Sequence, residues 1–517
     1  MQWAPRGRRE REPVAFVTGR HEIVRVEKNN APSAADLIFM VVAPLIAIRG
    51  TVKLTQSDGD LAAHIRMGET ILATGQLPAH SLASYTAPAD PMVAHAWLSE
   101  IIFAMLFRLG GLPLLSVVTG LIVGTTHGLI ALFLRRWGAD PRWAFLAALL
   151  SLPLASTHWL TRPHMFSIVG AALTLFLLES DRPKRAFLFL PLFAIWANLH
   201  GGWLYGLMMV GAYIVGDLAE ALVDPDQRGE WLSKARTNAL AFGLGALATL
   251  ANPYGIGLHR EVFDAVTSSS LAKNIAEYLA PNFQDAGQWP FLLAILATIA
   301  LFSLTTKRIR LPWLAVIIIS FFFALWSFRN IALFGVSAWP LIALYAAKGL
   351  PKGKRKFPFF TEFARLDPGS RVGILAVPVT ILMLALGFNR GYIGGMSVIP
   401  DRFNPKTFPT VAVEKARQAN LPGRVFDAWG WGGYIMYAWP TASLHVDPLK
   451  FNAETMTSYS LIEDMQPGWQ KEMDRWQIKT VIVSSKSPMA KGLALEPAWT
   501  IWYRDSTAAV FRRAGDV

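Results

Sequence analysis

The chain has 517 residues, 53% of them hydrophobic and gathered in long apolar runs, which excludes a soluble multidomain enzyme and indicates a polytopic helical membrane protein. It contains no cysteine, so disulfides, thiolate nucleophiles and cysteine metal sites are excluded together. The formal net charge of +13 is spread in short basic clusters between apolar segments, a pattern that orients a protein in an inner membrane and does not describe a nucleic-acid surface.

Residues 1–35 carry Arg6, Arg8, Arg9, Arg11, Arg20, Arg25 and Lys28 with no apolar core or small-residue cleavage site, so they read as a cytoplasmic segment and not as a signal peptide. A transmembrane domain is expected over 36–389, with eleven spans at roughly 36–54, 112–134, 143–160, 164–180, 186–200, 202–222, 236–251, 289–305, 311–328, 330–347 and 371–389. The apolar stretch 97–109 is the exception. At ~1.5 Å per residue it reaches only ~20 Å against a ~30 Å hydrocarbon core, and Gly110-Gly111 ends it, so it reads as a helix lying on the membrane surface. With the amino terminus inside, Arg135, Arg136 and Arg142, then Arg182, Lys184 and Arg185, then Arg228, Lys234 and Arg236, then Lys307, Arg308 and Arg310, and finally the cluster from Lys348 to Arg371 all become cytoplasmic. Counting 97–109 as a span would put every one of them outside.

This topology sends most of the polar residues within the apolar domain to the outer face. The first outer loop, 55–111, holds Asp58, Asp60, His64, Glu69, His80, Tyr85, His95 and Glu100; later outer turns hold Arg162-Pro163-His164, Asn198-Leu199-His200-Gly201-Gly202, Asn252-Pro253-Tyr254-Gly255 and Arg329-Asn330. Of the ten histidines, only His21 and His127 fall elsewhere. Titratable groups converging on one face of a bundle are what a catalytic pocket needs. If a surface helix starts at Asp60, Asp60 and His64 share a face at i, i+4, and Leu61, Ile65 and Leu72 form the neighbouring apolar stripe. A carboxylate beside an imidazole serves as a general base, a metal ligand or an anchor for an acceptor hydroxyl; the competing reading makes Asp60 a helix N-cap and His64 a solvated side chain. Arginine at such a turn either forks onto a phosphate or snorkels to lipid, and Asn252-Pro253-Tyr254-Gly255 reads as a turn ending a helix.

From 390 to 517 the pattern changes to short strands at 425–427, 434–437, 443–447, 480–483 and 508–511, with helices near 408–419 and 461–475. A small extracytoplasmic α/β domain on a mainly α transmembrane bundle is the expected fold. Trp429 and Trp431 are candidates for stacking on a sugar or isoprenoid, or for core aromatics. No P-loop, dinucleotide fingerprint or zinc-protease helix is present.

Taken together, Asp58-Gly59-Asp60 with His64, Gly68-Glu69, Gly75-Gln76-Leu77-Pro78, Ser84-Tyr85-Thr86 and His95-Ala96-Trp97-Leu98-Ser99-Glu100 resemble the bacterial membrane proteins related to C-type (GT-C) glycosyltransferases, which include protein O-mannosyltransferases, aminoarabinose transferases of lipid A and oligosaccharyltransferases. The run from Asp427 to Tyr434 is similar to their outer domain. The chain departs from the pattern in three places: Leu61 follows Asp60 where a Glu is usual, Ala62-Ala63 replace an aromatic pair, and Pro448-Leu449 interrupt an Asp-Gly-Arg signature. The resemblance implies a glycosyltransferase of the bacterial inner membrane that takes a polyprenyl-phosphate-linked sugar and a glycan, lipid or protein acceptor, with no nucleic-acid partner and with room for a divalent metal ion. On it, Asp60, Asp58 and His64 are the expected catalytic residues, and Glu69, His95, Glu100, Arg162, His164, His200 and Arg329 the expected substrate-binding ones. The alternative is a non-catalytic lipid-glycan carrier or assembly scaffold of the same fold.

Overall fold

The computed structural model describes residues 32–182, 184–267, 276–350 and 372–515, together with the backbone of a short hairpin, Ala15–Thr18 paired with Glu22–Arg25. His21, most of the amino-terminal basic residues and the basic run Lys352, Lys354, Arg355 and Lys356 lie outside the described residues. The protein is a multi-pass membrane protein. Among the described residues four helices are long and apolar enough to cross a bilayer, Trp97–Arg136, Trp203–Val223, Ala286–Leu304 and Phe328–Gly349, and shorter apolar helices such as Met165–Leu178, Leu311–Trp326 and Ala376–Phe388 accompany them. Each of the eleven apolar stretches read from the sequence carries a helix.

The stretch 97–109 is continuous with the next helix in hydrogen bonding but not in direction. Gly111 takes φ 65°, ψ −158°, a conformation that only glycine adopts without strain, and so separates the segment before it from the one running to Arg136. Asp401 sits where a side chain at 111 would stand and accepts the Leu112 N–H at 3.0 Å, so the kink is capped from the carboxy-terminal part of the chain. Asp36 does similar work at the other end of the bundle. Its carboxylate closes a capping box with Ser33 and also accepts the N–H groups of Gly373, Leu375 and Ala376 at 2.9 to 3.2 Å, joining the first apolar helix to the start of the last. Helix Met165–Leu178 contains no charged residue and separates two polar ends: one holds Asp58 and Arg162, and at the other buried Glu179 accepts from Arg310, Tyr213 and Trp313.

Residues beyond the last apolar helix form a five-stranded mixed sheet in the order Ser443–Leu444, Arg424–Asp427, Thr480–Ser484, Ala508–Arg513, Trp499–Arg504; the first three are parallel and the last two antiparallel. Two expectations need correction. Tyr434 to Tyr437, which alternate like a strand, belong to helix Gly432–Ala438, because the glycine pair before them lets the chain turn and lie against the Asp60 helix. The helix expected near 461–475 is two, Ala453–Glu463 and Trp469–Arg475, divided by left-handed Gly468. Strand Trp499–Arg504 adds to the strands expected from the sequence.

The first loop is gripped by this sheet. Residues 83–85 run beside Ser443–Leu444, with Leu444 N–H to Ala83 at 2.7 Å and Tyr85 N–H to Leu444 at 3.0 Å. Asp447 accepts from the Ser81 hydroxyl at 2.7 Å and the Leu82 N–H at 3.0 Å, and fully buried His445 meets the Tyr85 hydroxyl at 3.1 Å. Burial pushes the His445 imidazole down to about 4, so it remains a neutral bridge at ordinary pH.

Candidate active site

Asp60 opens helix Asp60–Thr74, as its apolar spacing suggests. It is not the N-cap: Gly59 holds that position without a side-chain bond, and Asp58 accepts the Asp60 N–H at 3.3 Å. The capping reading of Asp60 therefore gives way to a weak capping contact by Asp58. The shared face of Asp60 and His64 forms, but the His64 ring turns to buried Glu100, with Nδ1 and Oε1 3.2 Å apart, and not to Asp60. Helix Asp60–Thr74 crosses 97–110 at Gly68, where a Cβ would overlap the Glu100 carbonyl, and this close crossing brings the pair together.

The partner of the acidic motif is Arg162. Its guanidinium grips both oxygens of Asp58 and also lies 3.2 Å from Asp60 Oδ2 and 3.3 Å from Glu277 Oε1. Three carboxylates around one cation leave the group net negative. This arrangement does not suit the expected role of Arg162 in gripping a donor phosphate, since its fork is already filled. Nor do these carboxylates, held by a guanidinium at their centre, fit a divalent ion; among the described residues no group of three ligating side chains does. Asp58 has 13% of its side chain exposed and Asp60 36%, so Asp60 is the carboxylate with an open side. Burial among the surrounding elements pushes the Asp60 carboxyl up to about 6, against the pull of Arg162 and with the help of the Asp58 charge.

Glu277 belongs to no motif that would mark it in the sequence. It lies in the short turn Ala276–Tyr278, between apolar stretches, with Oε2 3.8 Å from His158 Nε2. The only sequence signal was an acid next to an aromatic in a loop on the same side as Asp58. That turn is tied to the Arg329 turn by the Ser327 hydroxyl to the Glu277 carbonyl at 3.0 Å and by Phe328 N–H to Leu279 at 2.8 Å. Tyr278 thereby comes under Arg329, whose guanidinium lies 4.6 Å from the ring centre and has no carboxylate partner among the described residues.

Around these groups stand the imidazoles. His158 and His164 have ring centres 3.9 Å apart, and His164 and His95 each lie 6.4 Å from His200. Trp196 donates to the Ser167 hydroxyl at 2.8 Å, and His200 Nδ1 lies 2.7 Å from that hydroxyl and accepts the Gly202 N–H at 3.1 Å. These bonds make Nδ1 the acceptor and place the proton of the neutral ring on Nε2. Burial pushes the His95 imidazole down, opposed by Glu100. Glu69 is not part of the group. Nine residues past Asp60 on one helix, it lies ~13 Å away by helical rise, and its charge adds to burial in raising the Tyr437 hydroxyl of the sheet domain. Asn252 holds its own turn, accepting Tyr254 N–H at 2.7 Å.

The sheet domain closes the site from above. Its turn Trp429–Gly433 lies on Gly59, the residue between the two aspartates: a Cβ at Gly59 would overlap the Gly430 carbonyl, and a Cβ at Gly433 would overlap the Gly59 carbonyl and stand 3.1 Å from Ala63 Cβ. Trp431 donates to the Thr407 carbonyl at 2.9 Å, while Trp429 meets Phe451 and Tyr459 edge-on and stays 39% exposed. Gly433→Ala is expected to push this turn off Gly59 and lower whatever turnover Asp60 supports by about a hundredfold, the scale of an ångström misplacement at a reacting group. Gly430→Ala is the control, because a Cβ there meets nothing within 4 Å. Equal rates for the two variants would show that the contact does not position the acids.

No protein-family model and no curated protein sequence matches the chain. Among solved structures it is similar to the archaeal oligosaccharyltransferase AglB from Archaeoglobus fulgidus in complex with an inhibitory peptide and a dolichol-phosphate, with TM-score 0.50 and 13% identity over 93% of this chain and 74% of that one. It is likewise similar to ArnT from Cupriavidus metallidurans bound to undecaprenyl phosphate, with TM-score 0.50 and 14% identity over 93% of this chain and 98% of that one. The likeness is one of fold.

Proposed function

We propose that the protein is a membrane glycosyltransferase that moves a sugar from a polyprenyl-phosphate-linked donor to a hydroxyl or amine acceptor at the face carrying the sheet domain. The observation that carries this reading is the division of labour in the site: Asp58 is consumed by Arg162, whereas Asp60 keeps an open side and a carboxyl poised near neutrality, as a general base requires. In the reaction the acceptor oxygen or nitrogen bonds to the anomeric carbon, the bond from that carbon to the phosphate oxygen breaks, the acceptor proton passes to Asp60, and the lipid phosphate leaves with one more negative charge. Arg329 is the cation available for that charge, with the His200 Nε2–H as a further donor. His164 Nε2 lies 2.7 Å from the His158 carbonyl and serves to hold the turn. No step is assigned to a metal. An apolar groove of about 530 Å³ lined by Trp97, Leu98, Ala194, Ile195, Asn198 and Pro253 lies beside the His200 turn and suits an isoprenoid chain.

Two measurements test the reading. Purified protein in liposomes should transfer sugar from a polyprenyl-phosphate donor, releasing lipid phosphate; binding of the lipid-linked sugar with no release would support the carrier alternative. Reporters fused after Arg142 and after Lys354 should read as cytoplasmic and one at the end of the chain as outside, in a bacterial inner membrane. A cytoplasmic carboxy-terminal reporter would place the proposed site on the wrong face.

A further inference from the structure

The last apolar helix, Ala376–Phe388, is followed by a small antiparallel hairpin in which Tyr392 pairs with Ser397 and Ile393 with Met396 around Gly394-Gly395. Both glycines have positive φ, 54° and 85°, as a two-residue turn demands. The base is held firmly. Gly391 N–H reaches the Leu386 carbonyl at 2.9 Å, the Asn389 amide reaches the Tyr392 carbonyl at 2.8 Å, and Arg390 pairs at 2.7 Å with Asp401, the residue that also caps the kink at Gly111. Among the described residues nothing packs on the tip: a Cβ on either turn glycine meets no atom within 4 Å, and Tyr392, Ile393 and Met396 are 43%, 55% and 71% exposed.

Its position supplies the partner. On the preceding helix Val377, Ile381, Leu382 and Phe388 are 53% to 70% exposed, the side a multi-pass protein turns to lipid. The hairpin follows directly on that helix, and its base rests at the kink where the segment 97–110 turns into the helix running to Arg136. We infer that the hairpin 392–397 is a lipid-contact site, which seats Ile393 and Met396 at the boundary of headgroups and acyl chains in the leaflet on the sheet-domain side, with Tyr392 at headgroup level. At that depth water still reaches the unpaired edges of the two short strands, so their backbone carries no desolvation penalty of the kind that excludes open sheet edges from the hydrocarbon core. Because the sheet domain starts at this point, the hairpin also sets its height over the bilayer. The inference is independent of the proposed transfer reaction.

The absence of cysteine makes the test direct, since a single introduced thiol is the only one in the chain. Met396→Cys and Ile393→Cys, each labelled with an environment-sensitive fluorophore, are compared with Leu495→Cys, an 86% exposed position on the sheet domain, in the full chain reconstituted in phosphatidylcholine–phosphatidylglycerol vesicles. The labels at 393 and 396 should be blue-shifted and quenched several-fold more strongly than the label at 495 by lipids carrying a shallow nitroxide. They should also be protected from aqueous iodide. Iodide quenching equal to that at 495, with no response to nitroxide lipids at either hairpin position, would overturn the inference.

Discussion

Asp60→Asn is expected to lower turnover by roughly two to four orders of magnitude, the contribution of a positioned general base, while leaving the melting temperature near that of the parent. Asn keeps the shape and a hydrogen-bonding group at the first position of the helix, and Asp60 contributes no cap that the substitution could remove. The accompanying pH profile separates base from bystander. A raised carboxyl pKa means that Asp60 is protonated and unable to accept a proton below about 6, so the parent rate should climb with pH through that value and level off above it. The residual rate of the Asn variant should lack this limb. A variant that keeps full activity, or keeps the same limb, would remove Asp60 from the mechanism.

Arg162→Gln should have the largest effect on stability. In the folded protein the guanidinium meets Asp58, Asp60 and Glu277 together, and Asp58 and Glu277 expose only 13% and 28% of their side chains. Removing one member of a buried ion pair costs about 3 to 5 kcal/mol; partial exposure here points to the lower end, about 3 kcal/mol, seen as a marked fall in melting temperature in detergent. The sign of its pH dependence is fixed. Asp60, which burial already raises to about 6, loses in this variant the cation that lowers it, so the defect should be full at pH 8 and shrink as pH falls and Asp60 takes up its proton. Arg162→Lys, which keeps the charge but loses the fork, should fall between. An unchanged melting curve for the Gln variant would mean that the carboxylates are compensated by some other group.

What the sequence disclosed follows the range of the signal. Periodicity located the helix that Asp60 begins, and the glycine pair after 109 located the break that Gly111 makes, because both are local properties of a few neighbouring residues. Pairing across the chain left no such mark. Local spacing offered Asp60 to His64, while the fold gave His64 to Glu100 and gave the aspartates to Arg162; nothing in either neighbourhood encodes the other. Glu277 stood alone in a loop without periodicity, and it acquires meaning only when Phe328 and Ser327 draw that loop beside Arg162 and Arg329. The misread strand at 434–437 has the same cause, since Tyr-Ile-Met-Tyr alternates in type and only its packing against the Asp60 helix decides its form.

The glycine contact at 59 also imposes an order on assembly. The acidic loop is synthesised near the start of the chain and its seat near the end, so the two meet only after every intervening helix has been inserted. An error of a single crossing anywhere between them would deliver residues 430–433 to the opposite side of the membrane, where the aspartates cannot reach them. The site is therefore closed last, and a partly made chain carries its acids without the surface that holds them in place.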